Sequence, residues 1–211
     1  MIPELFKTKE SPPVKNARKT LFAVAIALAS LTGTAVAKDT SATTFYAIDG
    51  SHTNVLASWN HLGFSNPSLN FGNVTGTIRF NAARPAQSHV DVRIPMSGME
   101  SFTAKFNEHL RSGDLLDTVK FPEARFTSTS VKSLGKNRYI VNGNLTLRGI
   151  TKPVILNATL NGKGMHPMAK KEAIGFDATA AIKRSDFGLG YAIPAVSDRV
   201  NLRITTEALA Q

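Results

Sequence analysis

Val74-Thr75-Gly76-Thr77-Ile78-Arg79-Phe80 alternates apolar or small residues with polar ones, so Val74, Gly76, Ile78 and Phe80 share one face and Thr75, Thr77 and Arg79 the other. Successive side chains of a strand point to opposite sides, so this stretch reads as a β-strand buried on one face and wet on the other. The same rhythm returns in Val90, Val92 and Ile94; in Tyr139, Val141, Gly143, Leu145 and Leu147; in Ile174, Phe176, Ala178, Ala180 and Ile182; and in Val200, Leu202 and Ile204. A sheet of this kind must curl on itself or pack on a second layer, and the chain offers little helical sequence to serve as that layer.

Working outward, strands are expected at Thr44 to Ile48 and Asn54 to Leu62 around an Asp49-Gly50 turn, at Val74 to Phe80, and at His89 to Pro95. They resume at Arg125 to Leu134, Tyr139 to Arg148, Val154 to Asn161, Ala173 to Lys183 and Asp198 to Ala208. Loops are signalled at Gly149 to Pro153 and Gly162 to Lys171. Between them the rhythm changes: Phe102, Phe106 and Leu110 are spaced by fours, with Ser101 as N-cap and Gly113 as stop, which predicts one short helix. A second apolar cluster, Leu115, Leu116, Val119 and Phe121, closes at Pro122 and reads with the helix as a lid or plug. The fold class is therefore all-β: an antiparallel β-barrel of about eight strands with one helix, closed so that no strand edge is left exposed.

The first 37 residues read as a secretory signal peptide: Lys15, Arg18 and Lys19, an apolar run from Leu21 to Leu31 too short to span a bilayer, and Ala35-Val36-Ala37 as cleavage site. The expected domain is then 38–211, a single unit exported to the periplasm. It carries 20 Lys or Arg and 13 Asp or Glu, net +7. That balance suits transient contact with an anionic membrane surface or simply scattered surface lysines, and export argues against nucleic acid as a partner. There is no cysteine. Thiol catalysis, cysteine-ligated zinc, covalent haem and a lipid-anchored N-terminal cysteine are excluded, and the core alone must hold the fold.

Chemistry-bearing patterns are sparse. His52, His61, His89, His109 and His166 form no close ligand pair, leaving only a long-range group of Asp49, His52 and His61 to consider for metal. No Gly-x-Ser-x-Gly elbow occurs, and the acidic pairs around Glu108, Asp114 and Asp117 read as solvated surface. No cofactor is called for. On the inner faces Gly76, Gly143, Ala158, Ala178 and Ala180 interrupt the bulky residues, which either leaves room for a ligand or tapers a packed interior. Three readings stay open from the residues: a carrier of an apolar molecule, an enzyme using His52, His61 or His109 as base, and an interaction module with a filled barrel.

Five segments in order narrow the choice: Asp49-Gly50-Ser51-His52-Thr53; Asn107-Glu108-His109-Leu110-Arg111-Ser112 running to Asp117; Phe121-Pro122-Glu123-Ala124-Arg125-Phe126-Thr127-Ser128; Gly143-Asn144-Leu145-Thr146-Leu147-Arg148-Gly149-Ile150-Thr151-Lys152-Pro153-Val154; and Ile182-Lys183-Arg184-Ser185-Asp186-Phe187-Gly188-Leu189. Together they resemble the YceI-like family of bacterial periplasmic proteins over nearly all of residues 38–211. The resemblance implies an extended lipocalin-like barrel whose elongated apolar cavity holds a polyisoprenoid lipid, such as a quinone or prenyl phosphate, or another amphiphile. One departure is Asp114-Leu115-Leu116, where the family usually has two phenylalanines after the aspartate.

The candidate cavity lining, taken from the apolar phases of the strands, is Ile78, Phe80, Val92, Ile94, Phe126, Val141, Leu145, Phe176 and Leu202. Phe106, Leu110, Leu115, Leu116 and Phe121 are expected to line or cover the entrance. His109, Arg111 and Arg125 are the candidates for a polar head group, since a cation near the opening would pair with a phosphate or donate to a quinone oxygen. Arg184 with Asp186 is expected to pin the loop after Lys183.

Overall fold

A computed structural model describes residues 42–211, so the signal-peptide reading and its cleavage site lie outside the described residues. Among them the strands are β1 (Thr44–Ser58), β2 (Ser68–Phe71), β3 (Thr75–Phe80), β4 (His89–Pro95), β5 (Met99–Glu100), β6 (Glu123–Gly135), β7 (Arg138–Leu147), β8 (Ile150–Met165), β9 (Glu172–Lys183) and β10 (Arg199–Ala210). One α-helix, α1 (Ala104–Arg111), lies between β5 and β6. Eight strands, in the order β1-β3-β4-β6-β7-β8-β9-β10, form an antiparallel barrel closed by β10 on β1. The two remaining strands are short: β2 takes the place of β3 along the second half of β1, and β5 pairs with β2.

Register brings the apolar phases to one face. Ile78 stands opposite Tyr46 and Val90, Val92 opposite Phe126, Val141 opposite Val131 and Leu156, and Ala178 opposite Ala158 and Ile204. A one-residue slip in any pair would turn that strand's apolar set to water, so burial of a single face fixes the pairing.

Two strands change phase midway. In β1 the inward residues are Tyr46 and Ile48 before the Asp49–Asn54 irregularity, and Thr53, Val55 and Ala57 after it. The Asp49-Gly50 segment is thus a bulge inside one long strand, which corrects the expected turn between two strands. Both flanks pair with β10, and the bulge is held by the Asp49 carboxylate, which accepts from Ser51 N at 2.9 Å and meets His52 Nδ1 at 2.7 Å. A bulge between Ser128 and Ser130 likewise moves the inward set of β6 from Phe126 and Ser128 to Val131. β8 starts at Ile150 and runs to Met165, so parts of the loops expected at Gly149 to Pro153 and Gly162 to Lys171 are strand.

The helix starts later than expected. Thr103 is the N-cap, its Oγ1 accepting from Phe106 N at 3.3 Å, whereas the Ser101 hydroxyl donates to the Thr103 carbonyl at 3.2 Å. Phe102 therefore precedes the helix and is exposed instead of sharing the face of Phe106 and Leu110. Asn107 and Arg111 clamp the helix to β5: Asn107 Nδ2 donates to Glu100 Oε1 at 2.7 Å, and Arg111 Nη2 donates to the Met99 carbonyl at 2.9 Å.

Two glycines of the inner face serve backbone and ring packing. Gly76 has φ +142°, and a Cβ there would run into the backbone of Asp91 and Val92 on β4. A Cβ on Gly143 would strike the Phe126 ring and also crowd the Thr127 carbonyl. Gly143→Ala is expected to cost about 1–3 kcal/mol through overpacking, read as a lower urea midpoint, with Phe126→Leu in the same chain restoring part of the loss. Gly76→Ala should cost no less, because the obstacle is backbone.

The Asp49 hydrogen bond holds His52 above the ordinary histidine value, and its bonds to His52 and Ser51 hold Asp49 below the ordinary carboxylate value. Stabilisation from Asp49 is present above about pH 3.9 and lost as pH falls through its depressed pKa. That from His52 is present below about pH 6.5 and lost as pH rises through its raised pKa. The His52 ring resonances should titrate with a midpoint above about 6.5 by NMR, and Asp49→Asn should lower that midpoint.

Candidate functional site

The barrel interior holds two cavity sections that share a waist of Val55, Ile94, Leu145 and Leu202. The inner section, of about 140 Å³, is lined by Ile48, Val74, Ile78, Phe80, Val90, Val92, Phe126, Val131, Val141, Ala158, Phe176, Ala178 and Ile204 among others. The polar groups in its wall are largely turned on one another or on the backbone. Thr53 Oγ1 lies 3.0 Å from Thr206 Oγ1, and Ser88 Oγ accepts from Asn81 N at 3.0 Å.

At the far end rings from three strands that are not neighbours meet across the interior. Phe80 of β3, Tyr139 of β7 and Phe176 of β9 stand edge to face with centroids 5.6–6.2 Å apart. Burial pushes the Tyr139 phenol up from its ordinary value. Beyond them fully buried Tyr46 donates its hydroxyl to Glu172, which Lys163 pairs at 3.1 Å.

The outer section, of about 360 Å³, lies at the opposite end, beneath α1 and the loops that follow β1 and β9. It reaches the lower part of the range usual for small-molecule pockets, roughly 300–1,000 Å³. Its wall is made by Ala57, Leu69, Phe71, Met96, Phe106, Leu110, Leu115, Leu116, Leu147, Ile182 and Leu189, and the side chains in it that carry polar atoms are Trp59, His61, His109, Arg184 and Tyr191. His109 packs edge-on against Tyr191 with centroids 5.8 Å apart, and Trp59 lies 6.1 Å from Phe106. Polarity is therefore gathered at the mouth, and apolar surface deepens inward.

The one buried cation among the described residues shapes that mouth. Arg184 donates to the carbonyls of Ser197 at 2.9 Å, Tyr191 at 2.8 Å and Val196 at 2.8 Å, and also to that of Leu189. Burial lowers its pKa, nearby Asp198 opposing the shift. The expected Arg184–Asp186 pair gives way to these backbone bonds. The loop carries its acceptors on the main chain, and Asp198 instead binds Ser185, at N and Oγ, each at 2.8 Å.

Of the candidate lining residues, Ile78, Phe80, Val92, Phe126, Val141 and Phe176 stand in the inner wall, and Ile94, Leu145 and Leu202 form part of the waist. Phe106, His109, Leu110, Leu115 and Leu116 stand in the outer wall. Three candidates are elsewhere. Arg125 lies on the outer face of β6, bonded to Asp91 at 2.6 and 3.2 Å, because its neighbours Ala124 and Phe126 take the inward phase. That bond holds the Asp91 carboxyl below its ordinary value. Arg111 is spent on the Met99 carbonyl. Phe121 packs on the turn at Gly149, with Lys120 Nζ 5.3 Å from its ring centroid. His52 sits on the outward bulge, apart from His61 in the outer wall, so the structure does not unite them with Asp49 as a metal site.

Leu189, Tyr191 and Val196 enter the wall from a loop where no periodicity marks a face, whereas Trp59, just past β1, continues the inward alternation of Val55 and Ala57. Of the small inward residues, Ala158 and Ala178 do line open space, whereas Gly143 seats a ring and Gly76 lets two backbones approach.

Fold and cavity together define a class: closed antiparallel barrels with an apolar interior that becomes polar at one mouth. The family model of the YceI-like domain matches residues 46–208, and the chain belongs to that family. It is 38% identical over 195 residues to a UPF0312 protein of Pseudomonas syringae pv. tomato, covering 91% of this chain and 97% of that one. Among solved structures, Burkholderia cenocepacia BcnA superposes with a TM-score of 0.69 at 24% identity, over 76% of this chain and 99% of that one. A polyisoprenoid binding domain from Saccharophagus degradans superposes with a TM-score of 0.60 at 14% identity, over 81% of this chain and all of that one.

Lysine cannot reproduce the fork by which Arg184 reaches four carbonyls. Arg184→Lys should therefore leave buried acceptors unmet and cost at least about 1–3 kcal/mol. Urea unfolding checks the loss, and limited proteolysis should cut first between residues 189 and 197.

Proposed function

We propose that the protein is an exported, non-catalytic carrier of an amphiphile with a long apolar tail, the polyisoprenoid class being the best fit. The observation that carries this reading is the gradient inside the barrel. A tail would lie in the inner section, past the waist, and a polar head would rest among His109, His61 and Tyr191 in the outer one. The fold-level likeness to a domain named for polyisoprenoid binding supports the choice of class.

The energetics favour a long tail. Burying a five-carbon unit removes about 100 Å² of apolar surface from water, worth about 2.5 kcal/mol. Several such units outweigh an association cost of roughly 4–15 kcal/mol. A short apolar fragment would not.

Trp59 is the chain's single tryptophan and lies in the outer wall, so its emission reports occupancy. Titrating lipid-stripped protein with a ubiquinone analogue whose tail carries several five-carbon units should quench Trp59 saturably. Leu145→Phe, which fills the waist, should weaken that binding at least about tenfold, since a blocked tail forfeits the burial of more than one methylene-sized step. Its circular dichroism and melting should stay near those of the parent. Loss of fold with unchanged quenching would instead mean a filled interior.

A further inference from the structure

We propose that the mouth of the barrel docks on an anionic lipid bilayer, with Phe64, Phe102 and Val119 as the side chains that enter the lipid interface. The inference rests on the reading of the cavity as a lipid site. These three are 92%, 91% and 95% exposed, more than any other large apolar side chain among the described residues. They stand on separate segments: the loop after β1, the turn before α1 and the turn after it. All three segments belong to the end of the barrel where the outer cavity section lies.

Continuity with the cavity points to lipid as the occupant. Tyr191 is 59% exposed and also part of the outer wall, so the apolar rim runs into the apolar interior. Isolated protruding side chains set around an opening offer a protein partner little flush surface, but each can enter a fluid interface independently. A guest handed from bilayer to barrel at such a rim never exposes its tail to water. Exposed Met165 and Met168 at the opposite end share one hairpin, on the side closed by the aromatic cluster.

Charge adds a longer-range attraction. The described residues carry 19 Lys or Arg against 12 Asp or Glu, net +7. Near the rim Lys105 and Lys120 are offset by Glu108, Asp114 and Asp117, so insertion of the apolar side chains is the larger contribution and net charge steers the approach. No helix among the described residues is long and apolar enough to cross a membrane, which suits a reversible, peripheral contact.

Flotation of the purified protein with vesicles of phosphatidylethanolamine and phosphatidylglycerol, three to one, tests the proposal. The parent chain should float, the combined variant Phe64→Ser, Phe102→Ser, Val119→Ser should partition at least about tenfold less, and Met168→Ser should behave as the parent. None of the four positions lines the cavity, so Trp59 quenching by the ubiquinone analogue should keep its affinity within about twofold in every variant. Equal flotation of the combined variant, equal loss in Met168→Ser, or no flotation of the parent overturns the docking. So does a rim-dependent dimer seen by sedimentation velocity without vesicle binding, which would make a second copy the occupant. Failure of the cavity reading is distinguishable: saturable quenching is then missing from the parent, whatever the vesicles show.

Discussion

Pairing of β10 with β1 is the constraint on which the rest depends, because it turns a one-sided sheet into an enclosure. An open sheet with this alternation would need a second layer to cover its apolar face, and the one α-helix among the described residues, eight residues long, is too small to be one. Closure satisfies the edge hydrogen bonds and directs every inward phase to a shared interior. In a chain without cysteine that enclosure is the whole source of stability.

What fills the enclosure is set by a few residues. Rings from β3, β7 and β9 occupy its far end, and Phe126 fills the space beside Gly143. Alanines and β-branched residues leave space between the rings and the waist. Toward the mouth the strands supply Ala57, Leu69, Phe71, Leu147 and Ile182, and the rest of the wall is built from the helix and from a loop drawn in by Arg184. A charged group appears in the wall of an apolar cavity because four backbone carbonyls surround it, a solution that organises a loop without a second buried charge.

The barrel and most of its lining were legible because a period of two leaves little freedom: once Ile78 faces in, Phe80 must as well. Arg125 shows the same rule ignored, since its place between Ala124 and Phe126 already assigns it to the outside. The segments misread were those where the period breaks. The Asp49-Gly50 pair looks like a reversing turn by composition, and only its pairing with β10 on both flanks shows that the strand continues. Ser101 and Thr103 are both capping residue types, and the cap falls to Thr103, whose Oγ1 accepts from Phe106 N, because the Ser101 hydroxyl is engaged with the Thr103 backbone at 3.2 and 3.4 Å. Tyr191, in the loop after β9, carries no local signal and is placed by tertiary contacts such as the His109 ring alone.

The central claim is that the interior is a continuous site for one long guest. A high-resolution crystal structure of protein purified from its own host without detergent tests it most directly. The account predicts unbroken non-protein density from beside His109 and Tyr191, through the ring of Val55, Ile94, Leu145 and Leu202, to the Phe80, Tyr139 and Phe176 rings. Side chains packed solidly across that waist, with no foreign density on either side, would contradict it.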